Sequence, residues 1–183
     1  DEKMAFDWFK LASEQGDALS AFELGKAFEK GSAISQDLAE SLFWYEQAAI
    51  QNHIPSQYKA GLAYRYARGV VKEPAMAAQW LMSAAEQGHD EAALESAEML
   101  RLGDGIEIDI ARAVQFYRQA ASADITEAQF QLARILAADG GNADDLQQAI
   151  ILYGRAAEKQ DTRSQFELGI LFDDGMRVEQ NKK

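Results

Sequence analysis

One pattern returns along this 183-residue chain every 36 positions, without an insertion or a deletion. Trp8, Trp44, Trp80, Phe116 and Leu152 share one phase of it, followed in step by Phe9, Tyr45, Leu81, Tyr117 and Tyr153. A small residue closes the motif each time, at Ala12, Ala48, Ala84, Ala120 and Ala156. A recurrence of this length specifies stacked supersecondary units, because a single unit cannot bury its apolar face alone. Each unit then meets mainly its neighbours, and the core is a continuous strip rather than a ball.

Within a unit the apolar spacing is helical twice over, at Ser20, Leu24, Gly25 and Phe28 and again at Ser41, Leu42, Tyr45, Ala48 and Ala49. The pattern predicts helix A, a short loop, helix B and a sharp turn. The chain reads as one domain over 1–183, with a partial repeat at 1–16, repeats at 17–52, 53–88, 89–124 and 125–160, and a partial repeat at 161–183. Because both ends cut across the repeat, the natural solenoid is expected to continue beyond at least one of them.

The boundaries have physical causes. Asp37, Glu73, Asp109 and Asp145 sit where an acidic side chain caps helix B and meets the positive end of its dipole. Pro55 and Pro74 mark helix starts, where a missing N–H is harmless. The loop glycines Gly31, Gly69, Gly103, Gly105, Gly141 and Gly175 fit left-handed exits from helix A, which is expected to end the chain's last such helix near Asp173. Gly25, Gly61, Ala97, Ala133 and Gly169 keep the middle of helix A small, which predicts a close crossing against helix B, with the alanine ladder as its counterpart. The fourth unit is the least regular, with the loop Ala138–Asp145, Leu152 in the tryptophan phase and Gly154 on helix B.

Composition narrows the partners. A net charge of −12 argues against a nucleic-acid backbone or an anionic membrane as the main partner. The absence of cysteine excludes disulfides, thiolate metal sites and a cysteine nucleophile. No apolar run approaches the roughly 18 residues of a membrane span. No signal peptide is evident, and the chain opens at Asp1 without an initiator methionine.

The run S-A-F-E-L-G-K-A-F-E-K-G from Ser20 to Gly31, with Ile34, Asp37 and W-Y-E-Q-A-A from Trp44, resembles the Sel-one-like repeat, a relative of the tetratricopeptide repeat. The third unit matches nearly as well, and the turns at Glu14 and Glu86 fit too. The resemblance implies an all-α fold, an α/α right-handed superhelical solenoid of about five helix-turn-helix repeats. It implies a non-enzymatic scaffold or adaptor that binds a partner protein or peptide in a concave groove, with no cofactor. It favours the bacterial periplasm, cell envelope or secretion over the cytoplasm. A second reading is an envelope-associated subunit binding a cell-wall glycan or polysaccharide, and an enzyme is the least favoured.

Candidate chemistry is sparse. His53 and His89 lie one period apart, but equivalent positions on packed helices are roughly 8 to 10 Å apart, too far to share one zinc. They read as turn residues. Asp139, Asp144 and Asp145 lack calcium-loop spacing and read as a solvated turn with a helix cap. The tryptophan phase reads as core, and Phe22, Tyr58, Leu94, Phe130 and Phe166 read either as packing on the next repeat, the favoured reading, or as lining the groove. The candidate partner-binding residues are Lys26, Lys30, Arg65, Tyr66, Arg101 and Arg134, a basic stripe on helix A suited to an acidic peptide or terminal carboxylate. The competing reading is a solvated face neutralised by Glu29 and Glu98.

Overall fold

The computed structural model describes residues 1–31, 34–138 and 143–180, with side chains described as far as Asp173. Among these residues it holds ten helices and no strand: α1 (Glu2–Glu14), α2 (Ala18–Lys30), α3 (Leu38–Ala49), α4 (Ile54–Arg65), α5 (Pro74–Glu86), α6 (Asp90–Leu102), α7 (Ile110–Ser122), α8 (Thr126–Leu136), α9 (Ala143–Glu158) and α10 (Thr162–Gln180). This is an all-α repeat solenoid, with even-numbered helices in the A position and odd-numbered helices in the B position. Two compact units emerge, Asp1–Asp109 and Ile110–Lys183. In the first, α1 to α6 each pack on their chain neighbours, and in the second α7 to α10 do the same.

Helix starts follow local chemistry. The Asp17 carboxylate accepts the Ser20 N–H at 2.7 Å, and Asp37 accepts those of Ala39 and Glu40 at 3.0 and 3.1 Å. Three boundary expectations need correction. Glu73 precedes α5 but makes no capping bond, because Pro74 already supplies a first turn lacking one N–H. Asp145 is not a cap: α9 begins at Ala143, so Asp144 and Asp145 lie in its first turn. Gly175 does not end a helix but lies within α10, which runs beyond Asp173 to Gln180. The loop residues Asp139 to Asn142, Gly141 among them, lie outside the described residues.

The core is built on the phase that follows the tryptophans. Tyr45, Leu81, Tyr117 and Tyr153 are all buried, as are Ala48, Ala84, Ala120 and Ala156. The tryptophan phase meets the core expectation only in part: Phe116 is buried and Trp80 packs on the core cluster, but Trp44, Trp80 and Leu152 are no more than half-buried and Trp8 is 66% exposed. One residue along a helix rotates a side chain by about 100°, which carries position 44 to the flank when position 45 faces inward.

That inward ring is what keeps helix A small. A Cβ on Gly25 would stand 2.6 Å from two Tyr45 ring carbons, and one on Gly61 would stand 2.6 Å from Leu81 Cγ. The counterpart of the glycines is therefore this aromatic and leucine ladder, not the alanine ladder. The crossing is pinned as well, since Ser41 Oγ donates to the Gly25 carbonyl at 2.8 Å.

Stacking between units uses the Phe22 phase. The Phe22 ring lies 4.8 Å from the His53 imidazole of the next repeat, and Tyr58 stacks on His89 at 4.4 Å. In the second unit Phe130 lies 5.9 Å from the Tyr153 ring of its own repeat and meets the next repeat through the Arg163 guanidinium at 4.3 Å, while Phe166 is exposed. Loops join the stacking through glycine: Gly69 at φ +77° touches the Leu38 backbone, and Gly105 at φ +81° touches Pro74 one period later.

Candidate functional site

The A helices display the six residues of the basic stripe, and the structure gives most of them a carboxylate. Lys26 Nζ donates to Glu23 Oε1 at 2.7 Å, one turn earlier on α2. Arg65 on α4 is paired with Glu95 of α6 and also donates to the Glu95 carbonyl at 3.2 Å. The Tyr66 hydroxyl donates to the same Glu95 carboxylate at 3.1 Å, with the Arg65 guanidinium 5.5 Å from its ring. Arg101 donates to Glu98 at 2.5 Å. Lys30 and Arg134 are exposed with no carboxylate partner among the described residues, Arg134 resting 5.9 Å from the Phe130 ring centroid. Arg65 and Tyr66 thus converge on one acid, while Arg134 belongs to the other unit.

Behind these pairs lies a rule. Glu29 accepts from Lys59 Nζ at 2.9 Å, and Arg65 pairs with Glu95, each 30 residues on. Positions 29 and 65 are repeat equivalents, as are 59 and 95, so the charge is reversed on both sides at once. Burial pushes the Glu29 carboxyl up, but the Tyr45 hydroxyl at 2.7 Å and the Lys59 ammonium outweigh it, and the net direction is down. The partners Glu23, Lys59 and Glu95 were absent from the sequence-derived site. For Lys59 and Glu95 the paired sign reversal at a spacing of 30 was the signal that could have found them, and for Glu23 its place three residues before Lys26 on one helix.

Lys26 and Lys30 also edge an open groove of about 210 Å³ between α1 and α2, floored by Phe6 and Phe9. One period later the equivalent groove, on Leu42, Tyr45 and Leu62, is reduced to about 20 Å³, with Glu29 of α2 on its wall.

The two histidines occupy helix starts, as the turn reading expected. His89 Nδ1 accepts the Ala92 N–H at 3.3 Å, and His53 Nδ1 lies 2.8 Å from Ser56 Oγ. Burial against Phe22 lowers the His53 pKa from its ordinary 6.5, and Glu23 opposes the shift. A lowered folded value means that the native state prefers the neutral ring. The stability it contributes is full above about pH 6.5 and is lost as pH falls through the folded value. Comparing urea midpoints of the protein and a His53→Asn variant from pH 7.5 to 5 is expected to show the native advantage shrinking with acid. A constant difference would contradict the assignment.

Among the described residues no group of three or more His, Asp or Glu is placed to hold a metal ion, and no helix is long and apolar enough to cross a membrane.

The repeat is recognised from outside the chain as well. The model of the Sel1 repeat matches residues 1–17, 18–53, 54–89, 90–125, 126–161 and 162–183. A solved protective antigen of uropathogenic Escherichia coli with the same repeat fold is 30% identical, with a TM-score of 0.89 over 96% of this chain and 38% of its own. This chain therefore spans well under half of that relative. A Sel1 repeat protein from Oxalobacter formigenes is 32% identical, with a TM-score of 0.75 over 96% of this chain and 71% of its own. Cysteine-rich protein B of Helicobacter pylori, at 20% identity and a TM-score of 0.51 over 67% of this chain and 93% of its own, shares the fold alone. Direct comparison with curated proteins returns no match. Sel1 repeat proteins are generally protein-interaction scaffolds, and the fold is typically non-catalytic. With matches running from residue 1 to residue 183 and the helical hairpins in register with them, the chain belongs to the Sel1 repeat family.

Proposed function

We propose that the protein is a non-catalytic scaffold that holds a partner protein or peptide against its A-helix faces. The supporting observation is a division of labour within the repeat. Positions held constant by the period are buried in stacking, as at Tyr45, Leu81, Tyr117 and Tyr153. Other positions of helix A change at each repeat, through Lys26, Leu62, Glu98 and Arg134, or Lys30, Tyr66 and Leu102. A constant frame carrying a variable surface serves recognition rather than turnover.

Any preference for an acidic partner rests on the cations that lack an internal carboxylate, Lys30 and Arg134, each within its own unit. Lys26, Arg65 and Arg101 already have acids beside them, so reversing their charge would damage the protein's own contacts. The test is affinity capture with the folded chain, then titration of the captured protein against Lys30→Glu and Arg134→Glu. Weakening of about tenfold in either variant, with thermal stability retained, is the expected result. Unchanged binding in both would overturn the acidic-partner reading, and failure to retain any protein would overturn the scaffold reading.

A further inference from the structure

The fourth repeat breaks the period on its B helix, and a cleft lies at the break. Residue 152 shares its phase with Trp80 and Phe116, where the ring of Phe116 is buried and Trp80 packs against Leu42, Tyr45, Ala60 and Ala63. Leucine at this place fills less volume. A cleft of about 250 Å³ lies beside it in the second unit, and its apolar lining includes Leu132 of α8 and Ile151 and Leu152 of α9. Ile151 is 47% exposed there, although isoleucine is a side chain that folding usually buries.

Two arginines edge the same cleft, Arg118 of α7 and Arg155 of α9. Neither belongs to the period: the equivalents of Arg118 are Glu46 and Met82, and those of Arg155 are Ser83 and Gln119. Arg118 donates to the neutral Gln148 side chain at 3.0 Å, which orients its guanidinium without cancelling the charge. Arg155 makes no hydrogen bond or ion pair among the described residues. The acid that feels it, Asp124, is itself paired with Lys159 at 2.6 Å. In a chain of net charge −12, two uncancelled guanidiniums around one apolar floor amount to a local inversion of charge.

The geometry points to a binding site for the carboxyl-terminal residue of a partner polypeptide, its aliphatic side chain on Leu132 and Leu152 and its carboxylate between Arg118 and Arg155. The cleft is smaller than the roughly 300 to 1,000 Å³ of small-molecule pockets, so it takes one residue rather than a cofactor. A guanidinium fork matches a carboxylate with two parallel hydrogen bonds. A terminal residue carries its carboxylate and side chain on one Cα, whereas successive side chains of an extended segment point to opposite faces. An internal acid beside an internal aliphatic residue therefore cannot reach both features so compactly. Its arginines lie on α7 and α9, apart from the basic residues of the A helices, although Leu132 shares α8 with Arg134.

The test titrates the 183-residue protein with a fluorescein-labelled Gly-Ser-Gly-Ala-Leu peptide, as free acid and as terminal amide, and reads fluorescence anisotropy. The free acid is expected to bind about tenfold or more tightly than the amide, and Arg118→Gln and Arg155→Gln are each expected to weaken the acid by about tenfold. Leu152→Trp, which restores the side chain of Trp80, is expected to fill the cleft and abolish binding. Arg118 and Arg155 are exposed, so their variants test the site even if the larger tryptophan disturbs the fold. Equal binding of acid and amide, no binding of the acid, or equally tight binding of an amidated peptide with an internal Asp-Leu pair would each overturn the proposal.

Discussion

Alanine in place of Gly69 is expected to destabilise the amino-terminal unit by about 2 to 5 kcal/mol, read as a shift in the urea unfolding midpoint. Two independent causes add at this position. The backbone is left-handed at φ +77°, where a side chain strains the chain. An added Cβ would also stand 2.3 Å from the carbonyl carbon and oxygen of Leu38, and backbone at the start of α3 cannot swing away as a side-chain tip could. Gly88 separates the causes, because its φ is +91° but nothing lies within 4 Å of an added Cβ. Gly88→Ala is expected to lose only the conformational part, about 1 to 2 kcal/mol. Equal losses at the two sites would show that the contact with α3 contributes nothing.

The second large effect tests the crossing of α2 and α3. Tyr45→Ala removes a buried ring and is expected to lose about 3 to 5 kcal/mol. Gly25→Ala alone sets two terms against each other. Alanine gains roughly 0.5 to 1 kcal/mol in a helix. Overpacking against the Tyr45 ring costs about 1 to 3 kcal/mol, so the net effect is destabilising. Once the ring is gone only the gain remains, and Gly25→Ala in the Tyr45→Ala background is expected to stabilise. A double-mutant cycle measures this directly. Destabilisation by Gly25→Ala in both backgrounds would mean that the glycine is needed for something other than room for the ring.

Much of this architecture was legible without coordinates because it is local and repeated. The two helices per repeat follow from the apolar spacing, and the left-handed exits at Gly31 and Gly103 follow from glycine at the end of helix A. The histidine pair was readable as turn chemistry because its spacing equals the period, and each ring does precede an A helix. Errors clustered where one residue decides between neighbouring phases. Trp44 is the most conspicuous side chain in its motif, yet Tyr45 faces Gly25, and a rotation of about 100° separates the two roles. Asp145 lay two residues inside a helix that begins at Ala143, a shift that capping preferences alone do not resolve.

The candidate site divided along the same line. The stripe Lys26, Arg65, Arg101 and Arg134 could be placed on A helices from the sequence, and Arg65 and Arg101 could be seen to share a phase. That Arg65 meets Glu95 and Lys59 meets Glu29 depends on how far one hairpin is displaced along the next. Likewise Leu152 was visible as a departure from the tryptophan phase, but the cleft it shares with Arg118 and Arg155 was not. By itself the sequence determined the period and the helices, since these depend on spacing within one helix. Only the tertiary structure decided which surface charges are cancelled and where the packing leaves room, because both depend on the offset between helices, which no spacing within a single helix encodes.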